Sequence, residues 1–154
     1  MIKINDEIPK FEILTDTGDF KISNYKGKKI VVFFFPRADT SGCTAESIAF
    51  TNLQKEFDKL NCIVIGISKD NSNKQGKFRE KHHLTCELGA DYDNDVCEQF
   101  GVWVEKSMYG KKYMGIQRST FLSNEQGIIT NIWEKVKVPG HAEEVLETVK
   151  SLNN

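Results

Sequence analysis

The sequence has almost no excess of charge and no long hydrophobic run, and each shortage excludes a class of partner. Its 154 residues include 21 basic and 22 acidic side chains, which gives a net charge of -1 at pH 7. These charges are spread along the chain and not gathered in blocks, so we expect no nucleic-acid partner and no membrane surface. No apolar stretch approaches the length of a bilayer span. The first residues, Met1–Glu7, carry acidic groups where a secretory signal needs an apolar core, so we expect a cytoplasmic location.

Cysteine is also scarce, and the spacing of the four cysteines excludes two common types of site. No two of them form a C-x-x-C pair, which disfavours both a zinc knuckle and a thioredoxin-type dithiol. A disulfide framework is not expected in a chain of this size without a secretory signal. Cys62 opens an apolar run and is expected in the core. The other cysteines are Cys43, Cys86 and Cys97.

Ligand sets for metals and cofactors are missing as well. His82 and His83 are adjacent, and neighbouring side chains on a helix point in different directions, so the pair is poorly placed to hold one metal ion. Asp91, Asp93 and Asp95 alternate, but the glycine and the closing glutamate of an EF-hand loop are absent. No glycine-rich phosphate-binding motif occurs. We therefore expect neither a metal nor a cofactor.

The apolar pattern predicts a single domain, 1–154, built around a parallel βαβ unit. The unbroken apolar run Ile30–Phe35 is typical of a strand that is covered on both faces. Apolar side chains at helical spacing then predict a helix that begins near Ser41 to Cys43 and continues to about Leu60, and a second apolar strand follows at Cys62–Ile67. A strand, a helix and a strand in this order imply parallel neighbours joined by a right-handed crossover.

Further elements complete an α/β fold. An N-terminal β-hairpin is predicted from Phe11–Leu14 and Phe20–Ile22. An antiparallel strand pair and an amphipathic helix close the chain, so the whole pattern predicts a central mixed β-sheet flanked by helices on both faces. The remaining predicted elements are the helices Asn73–His83, capped by Asn71 or Ser72, and Asp95–Phe100, the strands Ser119–Leu122 and Ile128–Trp133, and the last helix, in which Val145, Val149 and Leu152 share a face.

Cys43 lies where the predicted strand gives way to the predicted helix. Pro36 ends the strand, and residues 39–42 are turn and cap formers, so we expect Cys43 to lie near solvent. The free N–H groups and the positive end of the helix dipole at this position favour a thiolate. A lone cysteine is often inert packing, but the polar residues before this one favour a reactive thiol.

Residues around Cys43 resemble the active site of the peroxiredoxins. Pro36-x-x-x-Thr40-x-x-Cys43 is similar to the family's active-site motif, and Gly42-Cys43-Thr44 followed by Glu46 resembles the peroxiredoxin Q, or bacterioferritin comigratory protein, subfamily. Further segments resemble that subfamily in the same order, so the resemblance covers essentially the whole chain and implies a thioredoxin-like fold. These segments are Gly101-Val102-Trp103, Met108-Tyr109-Gly110-Lys111, Met114 to Leu122 and Gly140 to Leu146.

The resemblance implies a thiol-dependent peroxidase that reduces hydrogen peroxide and small organic hydroperoxides. Cys43 would be the nucleophile and would become a sulfenic acid. The Thr40 hydroxyl would hydrogen-bond the peroxide or the sulfur, in addition to capping the helix. Pro36 would shield the thiolate from bulk water, although ending a strand is its simpler role.

Arg118 is the implied site residue that lies far from Cys43 in the sequence. The resemblance assigns to its guanidinium the stabilisation of the thiolate and of the oxyanion that develops on the peroxide. We expect its strand to lie beside the strand that leads to Cys43. Glu46 would hold Arg118 by a charge-assisted pair, and backbone N–H groups at Gly42 and Cys43 would help to bind the anion. Arg37 is assigned at most a minor electrostatic role.

The chain departs from the subfamily at the residues that would regenerate Cys43. Many members carry a resolving cysteine five residues after the nucleophile, where this chain has Ile48, and the alternative position in the next helix aligns near Arg79. The absence of both usual partners predicts a one-cysteine mechanism, in which glutathione, a glutaredoxin or thioredoxin reduces the sulfenic acid. The remaining internal candidates, for which packing is the simpler role, are Cys86 and Cys97.

Two other functions stay open. A peroxide sensor that passes its oxidation to a partner protein would benefit from a long-lived sulfenic acid. A non-catalytic thioredoxin-like binding module would not need Cys43, Thr40 and Arg118 together, which favours the enzyme. The subfamily resemblance further implies a monomer or a weak dimer.

Overall fold

A mixed β-sheet of seven strands forms the centre of the molecule, for which the computed structural model describes residues 2–152. Two further strands form a separate hairpin. In chain order the strands are β1 (Glu12–Thr15), β2 (Gly18–Lys21), β3 (Lys29–Phe34), β4 (Cys62–Ser68), β5 (Glu87–Ala90), β6 (Trp103–Met108), β7 (Lys111–Ile116), β8 (Ser119–Ser123) and β9 (Ile129–Trp133). The large sheet has the order β2-β1-β5-β4-β3-β8-β9, and β6 pairs with β7.

Helices cover both faces of this sheet. They are α1 (Ser41–Asn52), α2 (Gln54–Lys59), α3 (Ser72–His82), α4 (Val96–Gln99), α5 (His141–Ser151) and a 3-10 helix at Ile22–Tyr25. Buried side chains of α1, α2, α3 and α5 share one core, whereas those of α4 and the 3-10 helix belong to the core on the opposite face. None of the helices within residues 2–152 is both long and apolar enough to cross a membrane. The expected α/β arrangement, a mixed sheet with helices on both faces and an N-terminal β-hairpin, is confirmed.

Strand β3 lies inside the sheet and leads directly to the candidate site. All six of its residues are buried, and it runs parallel to β4 and antiparallel to β8. Since alternate side chains of a strand point to opposite faces, Val31 and Phe33 enter one core while Val32 and Phe34 enter the other. This burial on both faces explains the unbroken apolar run in the sequence.

Stacked aromatic rings join helix α1 to the sheet. The ring of Phe33 stacks on Phe50 of α1 with 4.5 Å between the ring centroids, and Phe50 in turn lies next to Phe57 of α2. Gly66 of β4 lies against the same ring, because a Cβ at this position would be 2.5 Å from Phe33 Cζ. The missing side chain of Gly66 therefore provides room for the ring that holds α1 against the sheet.

The prediction of a single helix that continues to about Leu60 is wrong, because this segment forms two helices. Helix α1 begins at Ser41, within the predicted range, but the chain leaves helical geometry at Leu53, where φ is -101° and ψ is 6°. Phe50 before the break and Phe57 after it are both buried in the same core. Apolar spacing alone did not reveal it, since both halves present their apolar side chains to the sheet.

Strand β5 and the β6–β7 hairpin are absent from the sequence-based prediction. The hairpin strands are largely exposed, so they lack the alternating buried pattern that identifies a strand. Their sequence signal is the dipeptide Tyr109-Gly110, where φ is 53° and 79°, as the two-residue turns of β-hairpins require. In this hairpin, the glycine at the turn is therefore a clearer sequence signal than the hydrophobic pattern of the two strands.

Candidate active site

The segment between β3 and α1 presents Cys43 at the start of a helix. Pairing of β3 with β4 continues to Phe35, and the chain then bends at the exposed Pro36. Asp39 has a left-handed backbone with φ of 63°, and the extended backbone of Thr40 sets the direction of α1. Cys43 follows in the first turn of that helix, so the turn-forming residues correctly indicated where the helix begins.

Two acidic side chains fasten this loop to the rest of the molecule. Asp70, which follows β4, accepts a hydrogen bond from Ala38 N at 2.7 Å. Asp39 bonds to Lys81 and His82 at the end of α3, with distances of 2.9 and 2.8 Å. These bonds, led by the one with His82, lower the pKa of Asp39. The loop is therefore tied to both β4 and α3.

Arg118 brings a positive charge to the Cys43 sulfur from the neighbouring strand. It directly precedes β8, whose Ser119 pairs with Phe34 at the end of β3. The guanidinium therefore reaches the carboxyl end of β3, where Arg118 Nη2 lies 3.2 Å from Cys43 Sγ. The other terminal nitrogen, Nη1, donates to Glu46 Oε1 at 2.7 Å. The structure thus brings together the predicted nucleophile, the cation and the carboxylate that the sequence singled out.

Gly42 allows the guanidinium to lie against the first turn of α1. A Cβ at position 42 would be 3.2 Å from Arg118 Nη2, which is closer than most side chains tolerate. A larger residue here would push the guanidinium away from the sulfur. Gly42 therefore has a steric role at the site, in addition to the anion-binding N–H that we expect from it.

Burial dominates the electrostatics of Glu46. The side chain is 1% exposed, and this loss of hydration raises the pKa of Glu46 to about 7 against the opposing pull of Arg118. Its second oxygen, Oε2, has no hydrogen-bond partner in the described part of the chain. Burial by itself lowers the pKa of Arg118, but the interactions with Glu46 and Cys43 outweigh this effect, so the pKa of Arg118 is raised. The site therefore places a permanent cation beside a carboxyl group that exchanges a proton near neutral pH.

The expectation that Cys43 lies near solvent is wrong. Its exposed fraction is 1%, and its side chain packs in the core that also contains Phe33 and Phe50. Ser41, two residues earlier, is exposed, but the first turn of α1 directs position 43 toward the sheet. In this conformation an external thiol therefore has almost no direct access to Cys43 Sγ.

Thr40 does not cap α1 through its side chain, contrary to the prediction. Its hydroxyl donates to Arg37 O at 2.9 Å, and no side-chain capping bond forms. Thr40 and Pro36 are both exposed. The contact of Thr40 with a peroxide and the shielding of the sulfur by Pro36 stay predictions.

The three remaining cysteines are buried and free, and two of them are badly placed to bond with Cys43. Cys97 belongs to the core on the opposite face of the sheet. Cys86 shares the face of Cys43, but its neighbour Thr85 donates to Thr51 Oγ1 at 3.1 Å. Thr51 is roughly 12 Å farther along α1 than Cys43, whereas the Cα atoms of a disulfide are about 4.4 to 6.8 Å apart. A disulfide from Cys43 to Cys86 or Cys97 therefore requires a large rearrangement.

Burial also keeps these three thiols protonated. Loss of hydration raises the pKa of Cys62 and that of Cys86 to about 12. For Cys97, burial acts together with the nearby Asp91 carboxylate to raise the pKa. Because the thiolate is the nucleophilic form of cysteine, none of the three is poised for attack in the folded chain.

The two positions that the resemblance assigns to a resolving cysteine have packing and bonding roles here. Ile48 packs against the core beneath α1. Arg79 of α3 forms an ion pair with Asp16 and donates to Leu84 O at 2.8 Å and to Cys86 O at 3.0 Å. Arg79 thereby ties α3 to the β1–β2 turn and to the segment that enters β5.

The sequence did not identify Asp70 or Lys106 as neighbours of the site. Lys106 of β6 is half-buried, and its stem crosses Gly115 of β7, where a Cβ would lie 3.2 Å away. Burial and the nearby Arg118 lower the pKa of Lys106, while Cys43 opposes this. An exposed-strand lysine gives no sequence signal of such proximity. Asp70 could have been found, since it follows a strand parallel to β3, and the carboxyl ends of parallel strands share one edge of a sheet.

Known peroxiredoxins resemble this chain over nearly its full length. The model of the AhpC/TSA family matches residues 4–132. The putative peroxiredoxin bcp of Coxiella burnetii is 43% identical, over 94% of this chain and 97% of its own length. The peroxiredoxin Bcp of Bacillus subtilis is 42% identical, over 99% of this chain and 98% of its own length.

Solved structures of the same group share the fold. A mutant of Xylella fastidiosa PrxQ has a TM-score of 0.94 at 33% identity, covering 100% of this chain and 99% of that one. The bacterioferritin comigratory protein of Xanthomonas campestris, described with alkyl peroxide reduction activity, has a TM-score of 0.91 at 34% identity, covering 99% of this chain and 100% of that one. With its thioredoxin-like architecture, the chain therefore belongs to the AhpC/TSA family as a thiol-dependent peroxidase of the peroxiredoxin Q and Bcp group.

Proposed function

We propose that this chain reduces hydrogen peroxide and small organic hydroperoxides with Cys43 as the attacking residue, through a cysteine sulfenic acid. One observation supports this most directly: Arg118 donates to Cys43 Sγ at 3.2 Å and to Glu46 Oε1 at 2.7 Å. A guanidinium that is fixed in this way stabilises a negative sulfur and also the charge that develops during attack.

The first step is attack of the Cys43 thiolate on the terminal oxygen of the hydroperoxide. A sulfur–oxygen bond forms as the oxygen–oxygen bond breaks, which leaves a sulfenic acid on Cys43 and an alkoxide, or hydroxide from hydrogen peroxide. The leaving oxygen takes up a proton and departs as an alcohol or as water. Arg118 stabilises its charge, and Glu46, whose pKa burial raises to about 7, is a nearby proton source at neutral pH.

Thr40, Pro36 and the helix start orient the peroxide in this proposal. The Thr40 hydroxyl already donates its proton to Arg37 O, so its lone pairs accept the O–H of the incoming hydroperoxide. Pro36 limits the access of water at the end of β3. The N–H groups of Gly42 and Cys43 add to the stabilisation of the sulfur anion.

An external thiol completes the cycle, because the internal cysteines are poorly placed. Cys97 lies across the sheet, and Cys86 lies beside the far end of α1. Glutathione, a glutaredoxin or thioredoxin then reduces the sulfenic acid. A cytoplasmic location and a monomeric or weakly dimeric state belong to the same proposal, and light scattering measures the latter.

Mass spectrometry after one equivalent of hydrogen peroxide tests the first half of the cycle. We expect one sulfenic acid, trapped by dimedone at Cys43, and none in Cys43→Ser. A disulfide between Cys43 and either Cys86 or Cys97 would contradict external resolution. Steady-state consumption of peroxide with each of the three reductants then identifies the physiological type of donor.

A peroxide sensor is the second candidate function. The same lack of a well-placed internal cysteine favours it, because an unresolved sulfenic acid persists long enough to be passed to a partner protein. Rapid oxidation of Cys43 without turnover by any of the three reductants would support the sensor. A non-catalytic binding module is disfavoured, since binding alone gives no reason for a guanidinium at the Cys43 sulfur.

A further inference from the structure

A cleft of about 410 Å³ lies between helix α3 and the loop that leads to Cys43. One wall consists of loop residues 37–39, and the opposite wall consists of Lys74, Lys77 and Lys81 from α3. Asp70 closes the floor near the end of β4. The volume falls in the range of about 300 to 1,000 Å³ that is usual for small-molecule sites.

The acidic side chains of this cleft are already paired, whereas most of its basic side chains are not. Asp70 accepts hydrogen bonds from Ala38 N and Ser68 Oγ, and Asp39 is bonded to Lys81 and His82.

By contrast, Arg37, Lys74 and Lys77 make no ion pair and donate no side-chain hydrogen bond among the residues that the structure describes. Three unpaired cations around one concavity attract an anionic ligand and raise its local concentration.

We propose that this cleft binds the small thiol that resolves Cys43, and that the thiol is one that carries carboxylate groups, as glutathione does. The inference rests on the proposed one-cysteine cycle and assigns the place where the reductant docks. A tripeptide fits inside a cleft of this size, whereas a folded reductant protein could contact only its rim. The carboxylates of the thiol pair with the unpaired cations of the cleft.

The cleft is close enough to Cys43 for its ligand to react there. Asp39 lines the cleft and is four residues before Cys43, a span of at most roughly 14 Å even in a fully extended chain. When the first turn of α1 opens, the Cys43 sulfur leaves its buried position beside Arg118 and becomes accessible at this loop. A thiol that is bound in the cleft through its carboxylates then lies close to the Cys43 sulfur and can react with it directly.

The resolving chemistry needs two equivalents of the thiol. The sulfur of the first thiol attacks the sulfenic sulfur of Cys43, so that a disulfide bond forms, the sulfur–oxygen bond breaks and the oxygen leaves as water with the thiol's proton. A second thiolate then attacks the sulfur of the first, which releases Cys43 as a thiolate and yields the oxidised, disulfide-linked form of the small thiol.

Charge reversal in the cleft tests this assignment. In Lys74→Glu/Lys77→Glu, we expect the rate at which glutathione reduces the pre-formed Cys43 sulfenic acid to fall by about tenfold. The rate with 2-mercaptoethanol, which has no carboxylate, should stay the same, as should the rate of oxidation by hydrogen peroxide. The matched control is Lys3→Glu/Lys55→Glu, which changes the net charge equally at exposed positions outside the cleft. Rapid-quench mass spectrometry measures both thiols in all three proteins.

Each other result overturns the assignment in a recognisable way. An equal fall for glutathione and 2-mercaptoethanol, or an equal fall in the control, would show a general effect of charge or stability. If the rate of reduction stays the same with glutathione but falls with thioredoxin or glutaredoxin, the cleft binds a reductant protein instead. If peroxide leaves no sulfenic acid on Cys43, the proposed function itself fails, which is distinct from failure of the cleft.

Discussion

The two terminal nitrogens of Arg118 serve two different atoms, the sulfur of Cys43 and a carboxylate oxygen of Glu46. A lysine has one nitrogen and cannot bond to both with the same geometry. Cys43 and Glu46 are each 1% exposed, so removing the guanidinium leaves them without compensation in a poorly hydrated place. At the scale of residues, the site therefore depends on the shape of this side chain as well as on its charge.

Replacing Arg118 with methionine is expected to slow the oxidation of Cys43 by hydrogen peroxide roughly 100-fold to 1,000-fold, the range for loss of one stabilising donor. Arg118→Lys should recover only part of the rate, because an ammonium group lacks the forked geometry. Stopped-flow fluorescence measures both rates, with Lys112→Met on the exposed side of the hairpin as a control. A rate for Arg118→Lys equal to that of the unmodified chain would contradict this account.

The raised pKa of Glu46 predicts how stability varies with pH. The unfolded chain ionises this group near its ordinary value of 4.5, whereas the folded chain ionises it at about 7. Between these values the folded state holds the extra proton, so the free energy of unfolding falls as pH rises from about 4.5 to about 7. The expected loss is about 3 kcal/mol, and this group causes no further change at higher pH.

Urea unfolding at a series of pH values compares the unmodified chain with Glu46→Gln. Glutamine keeps an oxygen that accepts from Arg118 but cannot ionise. The free energy of unfolding of the variant should therefore not show the fall between about pH 4.5 and about pH 7 that Glu46 causes. The same slope in both proteins would mean that Glu46 ionises near its ordinary value after all.

At the scale of elements, the proposed cycle requires the first turn of α1 to be closed for peroxide and open for the reductant. Thr40 makes no side-chain capping bond to this turn, and a missing cap of this kind lowers helix stability by about 1 kcal/mol. The bond from Arg118 to Cys43 stabilises the closed form while the sulfur is a thiolate. Oxidation neutralises the sulfur and weakens that bond, so the uncapped turn opens more readily once the peroxide has reacted.

Restoring a thiol within α1 tests whether this turn opens. In Ile48→Cys, peroxide is expected to produce a disulfide between Cys43 and the new thiol. Five residues of intact helix rise about 7.5 Å, which exceeds the Cα separation of about 4.4 to 6.8 Å in a disulfide, so the bond forms only if the turn unwinds. Mass spectrometry detects the disulfide, and circular dichroism the accompanying loss of helix. Asn52→Cys at the other end of α1 is the control and should not bond to Cys43.

The sequence predicted most of the elements that bury apolar side chains, although it missed the short buried strand β5, and it failed for the exposed hairpin. The strand leading to Cys43 and the start of α1 followed from an apolar run and a set of turn formers. The exposed β6–β7 hairpin gave no such pattern, so the proximity of Lys106 to the site was invisible. Arg118 was found only through the family resemblance, since strand pairing and not local sequence places it near the sulfur. The burial of Cys43 was also missed, because the packing of α1 on the sheet and not the local sequence determines it.

At the scale of the whole molecule, one of the two cores also carries the candidate site. Cys43, Phe33 and Phe50 pack in that core, so a change deep in the sheet reaches α1 through the stacked rings. Gly66 lies at the base of this stack. The stability of the fold and the position of the proposed nucleophile are therefore coupled.

Gly66→Ala is expected to lower the free energy of unfolding by about 1 to 3 kcal/mol, as overpacking of a core usually does. The added methyl would lie 2.5 Å from Phe33 Cζ, so the ring and α1 have to shift. The matched control is Gly76→Ala in α3, where the nearest atom, Asp16 Cβ, would be 3.5 Å away. That change should stabilise the helix by up to about 1 kcal/mol. Thermal unfolding measures both, and equal effects would contradict the steric account.

The bonds of Arg79 bear on how this chain could change in the course of evolution. A single substitution of Arg79 by cysteine would leave Asp16, whose side chain is 6% exposed, and two backbone carbonyls without their partner. Ile48 packs against the apolar core while partly exposed, so a cysteine there would lose some apolar packing but no ion pair. A single amino-acid replacement within α1 could therefore provide an internal resolving thiol, whereas the route through α3 would require a compensating change at Asp16 as well.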